Sequence, residues 1–307
     1  MKKSFRSRPF IIAACMAGLL APAGYAQTIA STDFSTLNTG TVTATELSDA
    51  TSGASWTFNA LGEHNDAVYS ITGVGNERGF LMDSVVGVGG NAEFARMTLD
   101  QSFALNSLQG GDFLQFSLKT ASHPNAPTGG GRANTYRLFD TDGGLALEIH
   151  WVSNGNYQIN DGHFEINEED EVVPDTNLNP GNTEALTPWG DARLTDWDST
   201  ADEVQSLLVQ INSDGTYQMT WSSTGHPTRQ TAIRNLGNSD DGALGPDGGI
   251  GSFGAYSGFS QSPQRAYHLD DIEFAVVPEP RTYAAIFGLA ALGVVLVIRT
   301  RRSRRVA

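Results

Sequence analysis

"SLLVQINSDGTYQMTW", Ser206 to Trp221, alternates apolar and polar residues on both sides of a short polar break. Leu207, Val209 and Ile211 share one parity, and after Asn212-Ser213-Asp214-Gly215 the residues Tyr217, Met219 and Trp221 resume it. Successive side chains of an extended strand point to opposite faces, so this period-two pattern predicts two strands with one buried face each. Gly215 tolerates the positive φ that a hairpin with a bulge needs. The stretch reads as a β-hairpin with one apolar and one polar side.

The same design recurs upstream. "YRLFDTDGGLALEIHW", Tyr136 to Trp151, turns at Asp140 to Gly144 and returns with Leu145, Leu147, Ile149 and Trp151 on one face. In "DFLQFSLKT", Asp112 to Thr120, Leu114, Phe116 and Leu118 oppose Gln115, Ser117 and Lys119. Further strands are expected at residues 55–61, 67–72, 93–99, 157–160, 163–167, 230–236, 251–256 and 268–276. Between Gln27 and Val277 there is no heptad and no helical period of useful length. The expected fold is all-β, two antiparallel sheets packed face to face as a β-sandwich in one domain, 27–277. Residues 168–200, interrupted by Pro174, Pro180 and Pro188, read as a loop-rich insertion. "RLFDTDGGLALEIHW", "LLVQINSDGTYQM" and the closing "YHLDDIEF" resemble the concanavalin A-like, laminin-G-like sandwich of bacterial secreted proteins. A galactose-binding jelly roll has similar strands and a similar Asp-Asp-Ile closing strand, so both topologies stay open.

The two ends speak of address. Lys2, Lys3, Arg6 and Arg8 precede an apolar stretch from Phe10 to Leu20 and the small residues around Gly24-Tyr25-Ala26. This is the pattern of a signal peptide, 1–26, cleaved after Ala26. Ile12-Ala13-Ala14-Cys15 also fits a lipoprotein box, with an apolar region much shorter than usual. Cys15 is the only cysteine. Once it is removed, disulfides, zinc thiolates and cysteine nucleophiles are all excluded.

At the other end, Thr282 to Ile298 runs 17 residues without a charge. As a helix it would extend about 25 Å, enough to span a bilayer core. Arg299, Arg301, Arg302, Arg304 and Arg305 follow, and the positive-inside rule keeps them cytoplasmic, with the large domain outside. Pro278-Glu279-Pro280 holds the chain extended just before this helix. Pro-Glu-Pro, apolar helix and arginine cluster together, residues 278–307, resemble the PEP-CTERM sorting signal of Gram-negative bacteria. The resemblance implies an exosortase-like membrane protease as partner, removal of the helix, and delivery to the cell surface or extracellular matrix.

Whole-chain net charge is −15, but residues 27–277 carry nine basic against 33 acidic side chains, a balance of −24. Such a surface repels nucleic acid and favours neutral ligands, cations or plain solubility. Trp189 and Trp197, beside Asp191 and Asp196, are the candidate platform for a neutral polysaccharide, whereas Trp151 and Trp221 are expected in the core. Calcium takes oxygen ligands, so Asp140 with Asp142, Asp240 with Asp241, and Asp270 with Asp271 are its candidates. The same residues are ordinary turn formers. Glycosidases need two carboxylates about 5 to 9 Å apart. Glu148-Ile149-His150 and the acidic run from Glu165 to Val172 lack the required alternation, so a carbohydrate-binding or structural module is expected, with a glycan hydrolase or lyase as the alternative. Replacing Pro278-Glu279-Pro280 by three alanines is expected to leave an unprocessed, membrane-retained form on immunoblots of cell fractions. Unchanged processing and release would overturn the sorting assignment.

Overall fold

The computed structural model describes residues 26–58, 67–73, 78–84, 92–122, 132–152, 157–161, 164–166, 172–174, 204–224, 228–237, 243–257 and 265–278. The chain divides into two compact units, Thr28–Val276 and a second made of Met1–Gln27 with Val277–Ala307. Nearly all of the second unit lies outside the described residues, including Cys15, Glu279, Pro280, the 282–298 span and the arginine cluster. No helix among the described residues is long and apolar enough to cross a membrane.

Strands run in chain order as β1 (Gln27–Thr32), β2 (Gly40–Thr41), β3 (Thr51–Ser52), β4 (Ala54–Phe58), β5 (Ala67–Thr72), β6 (Gly79–Ser84) and β7 (Ala92–Ala104). Then come β8 (Phe113–Ser122), β9 (Arg132–Asp140), β10 (Leu145–Val152), β11 (Tyr157–Asn160), β12 (Phe164–Ile166) and β13 (Val172–Pro174). The last six are β14 (Gln205–Asn212), β15 (Thr216–Ser223), β16 (Arg229–Gln230), β17 (Arg234–Asn235), β18 (Gly249–Ser257) and β19 (Arg265–Val277). The larger sheet has the order β16-β15-β14-β8-β19-β6-β5-β2, with β1, β3 and β17 attached off that path. The smaller sheet is β11-β10-β9-β18-β7-β4, and β12 pairs with β13 alone. Neighbours pair antiparallel, as in β14 with β8 and β15, and β18 with β7 and β9.

The two quoted hairpins fall in different sheets, β14–β15 in the larger and β9–β10 in the smaller, and their apolar faces meet. Leu207, Val209, Ile211, Tyr217, Met219 and Trp221 are all buried, as are Leu114, Phe116 and Leu118 of β8. Phe116 of the larger sheet meets Phe253 of the smaller with ring centroids 5.1 Å apart, and Phe274 at 4.8 Å on its own side. Trp56 bridges Phe80 and Phe253. Its indole N–H is shared between Thr32 Oγ1 and Thr51 Oγ1 at 3.2 and 3.1 Å. Each such ring contributes on the order of 1.5–3 kcal/mol by leaving water.

Several expectations needed correction. Leu145 is half-buried, because a bulge between Leu145 and Leu147 breaks the parity and turns Ala146 inward. Residues 230–236 are not one strand: β16 and β17 are separate two-residue pieces, divided where Thr231 hydrogen-bonds Met219 in both directions, N–H to carbonyl and N–H to Oγ1. Residues 172–174, expected within a loop, pair with β12. A six-residue helix, α1 (Ala44–Asp49), was not anticipated. Its signal is local: Thr43 and Glu46 form a reciprocal capping box, Thr43 Oγ1 accepting from Glu46 N and Glu46 Oε2 accepting from Thr43 N.

The sheets are also joined by a buried charge pair. Asp161, just past β11, accepts from Arg234 Nε of β17 at 2.7 Å and from the Tyr217 hydroxyl at 3.1 Å, all three side chains being almost fully buried. Burial first, and then the Asp161 charge, pushes the Tyr217 pKa well above its ordinary value, so the phenol remains a donor. Asp161→Ala strands a buried guanidinium and is expected to cost about 3–5 kcal/mol in chemical denaturation. Gly215 (φ +82) and Gly143 (φ +88) serve the two hairpins alike, but a Cβ at Gly215 would sit 2.8 Å from Gly245 N, whereas at Gly143 it meets nothing within 4 Å. Gly143→Ala is therefore expected to cost about 1–2 kcal/mol and Gly215→Ala clearly more; equal midpoint shifts in a denaturant titration would refute the steric account.

Candidate functional site

Burying one parity of β8, β14 and β15 puts the other on the outer surface of the larger sheet. The register sets these residues in rows: Gln218, Gln210 and Gln115; then Thr220, Leu208 and Ser117; then Ser222, Ser206 and Lys119. All nine are half-buried and none is a carboxylate. The Gln218 amide is held by donation to Thr231 O at 2.8 Å. A groove of about 610 Å³ crosses the last two rows and reaches Ser31 on β1 and Asp271 and Glu273 on β19. This lies in the roughly 300–1,000 Å³ range of small-molecule sites.

One rim of the groove is charged. Asp271 Oδ2 pairs with Lys119 Nζ at 2.6 Å, and Glu273 Oε1 accepts from Thr28 Oγ1 at 2.7 Å. Asp271 has φ +48, the one positive value of a non-glycine among the described residues. It marks where β19 changes parity: Asp270 is buried, and Asp271 and Glu273 then share the outer side with Ile272 buried between them. Asp271-x-Glu273 is thus a pair of carboxylates on one strand face. From sequence, Asp271 is a candidate only for calcium, and Glu148 and residues 165–172 are the carboxylates weighed and set aside for catalysis, although "DDIEF" carries the alternation. Hydroxyls along the groove can donate to and accept from sugar hydroxyls, and the carboxylate rim can serve acid–base work.

The other predicted residues scatter. Asp140 is buried, and its Oδ1 accepts from Asp142 N and Gly144 N at 2.9 and 2.7 Å, so this carboxylate is engaged in its own turn. Asp142 is exposed at the tip. Asp240 and Asp241 lie outside the described residues, as do Trp189, Trp197, Asp191, Asp196 and the side chains of Trp151 and His150. No group of three or more His, Cys, Asp or Glu among the described residues is placed to hold a metal ion. Glu148 is buried on the outer side of the smaller sheet, paired with Arg137.

No protein-family model matches the chain, and no curated protein matches it. Solved structures of similar outline include the CBM2 module of the evolved Dit of Lactobacillus casei BL23 phage J-1, 12% identical over 83% of this chain and 98% of that one, TM-score 0.42. The PL-14 alginate lyase from Aplysia kurodai is 12% identical over 84% and 100%, TM-score 0.44. The catalytic domain of a glycoside hydrolase family 131 protein from Coprinopsis cinerea is 8% identical over 83% and 95%, TM-score 0.44. All three likenesses are distant.

Proposed function

We propose that the chain is an exported surface or matrix protein, sorted through its PEP-CTERM-like tail by an exosortase-like protease, whose sandwich binds a neutral polysaccharide along the groove of the larger sheet. The observation that carries this reading is electrostatic. In a stretch with a −24 balance, the nine in-register outer residues of three adjoining strands include seven amides and hydroxyls, Leu208, one cation in Lys119 and no carboxylate. Spending that many outer positions on uncharged hydrogen-bonding groups suits a ligand that is itself uncharged and rich in hydroxyls. Leu208, half-buried between Ser117 and Thr220, offers an apolar patch to a sugar ring's C–H face.

Affinity electrophoresis of the full-length chain through gels containing neutral glucans, mannans and galactans tests this. Retardation by one class is expected, and Leu208→Glu is expected to weaken it about ten-fold or more through desolvation of a new charge, with an unchanged melting temperature. Equal mobility of wild type and variant in every gel would reject the groove as the site.

The Asp271-x-Glu273 pair supports a second, catalytic reading. If the groove cleaves what it binds, reducing ends accumulate with wild-type protein and fall at least about 100-fold with Glu273→Gln, in line with the share general acid–base groups supply. Binding without product formation would leave the module reading alone.

A further inference from the structure

A strand at the edge of a sheet leaves the backbone N–H and C=O of every second residue without a ladder partner. The path of the larger sheet ends in β16 and β2, two residues each and too short to template another strand. The smaller sheet ends in β11 and β4, and β4 is an unusual edge. Its sequence, Ala54-Ser55-Trp56-Thr57-Phe58, contains neither a charge nor a proline, the residues that ordinarily guard such a strand. Ala54 and Trp56 are buried, and Ser55 and Thr57 between and beyond them are exposed. A regular, uncharged edge of this kind is a ready template for a second extended chain.

The short helix α1 stands where that chain would lie. Trp56 is opposite Met97 of β7, yet its backbone N–H points the other way and donates to Ser48 Oγ of α1 at 2.7 Å. The same hydroxyl is 3.4 Å from Trp56 O and donates to Ala44 O, one turn back in its own helix, at 2.7 Å. One side chain therefore fills the place in which a neighbouring strand would pair with Trp56. A six-residue helix does not persist alone, and α1 is fastened by its tertiary contacts. Thr43 and Glu46 cap its start, Leu47 is fully buried in the core, and Thr51 Oγ1 donates to Leu47 O at 2.7 Å. We propose that α1 is an edge guard, which by filling the outward bonds of Trp56 keeps β4 from pairing antiparallel with β4 of a second copy of this chain. A second copy fits because the edge is self-complementary: centred on Trp56, such a pair sets Ser55 of one copy opposite Thr57 of the other, with no charge to repel it.

The test follows the mass of the full-length chain in one detergent by light scattering, over a wide range of protein concentration at physiological ionic strength, together with hydrogen exchange at the Trp56 amide. Wild type is expected to keep one mass throughout, with that amide protected. Ser48→Ala is expected to speed exchange at Trp56 in dilute solution and to self-associate about ten-fold or more tightly than wild type, the scale of one or two recovered backbone bonds. Adding Thr57→Lys, which puts a charge on the exposed side of β4, is expected to return that variant to the wild-type mass. Faster exchange at Trp56 with an unchanged mass would overturn the proposal, as would an unchanged amide in Ser48→Ala or an association that Thr57→Lys leaves untouched. Should Ser48→Ala fail to fold, Thr43→Ala loosens α1 through its capping box without touching β4, and an unchanged mass would overturn the proposal there too.

Discussion

The contact of Phe116 with Phe253 across the sandwich is the point on which the rest depends. A strand that turns an aromatic ring inward must turn its neighbours outward, so filling the seam decides which residues the two outer faces display. Leu207 and Val209 inward put Ser206, Leu208 and Gln210 outward. Phe253 and Ala255 inward put Gly254 and Tyr256 on the other side. The proposed groove is the reverse side of strands chosen for the core. Because Cys15 is the only cysteine, no disulfide shares the task, and the seam is closed at one edge by Asp161, Arg234 and Tyr217 instead.

The two faces solve the problem of an acidic chain differently. The larger sheet shows no outer carboxylate in the paired rows of β8, β14 and β15, and Lys119, Asp271 and Glu273 bring charge to one rim of its groove. The smaller sheet stacks Arg96 and Arg137 on the rings of Phe139 and Tyr256 and pairs Arg137 with Glu148.

The alternation in "SLLVQINSDGTYQMTW" and "DFLQFSLKT" was legible because burial of one strand face is a local, repeating demand on the sequence. Gly215's turn was legible for a similar reason, since positive φ selects glycine. The parity changes at Leu145 and Asp271 were not, because a bulge answers to the partner strand rather than to its own neighbours. The capping box at Thr43 and Glu46 was visible in principle but is a short signal, and α1 is too short to produce a helical period.

By itself the sequence determined the all-β class, the inward parity of β8, β14 and β15, the hairpin turns and the charge balance, for each is read from residues without knowledge of their distant partners. Its two ends add a basic and then apolar start and a Pro-Glu-Pro, apolar and arginine-rich close. Only the tertiary structure decided which strands are neighbours. It set Arg96, Gly254 and Arg137 in one row from positions up to 158 residues apart, and it brought Asp161 to Arg234 from two different sheets. Register between distant strands is settled by how all the inner side chains pack at once, a global condition that no local stretch of sequence states.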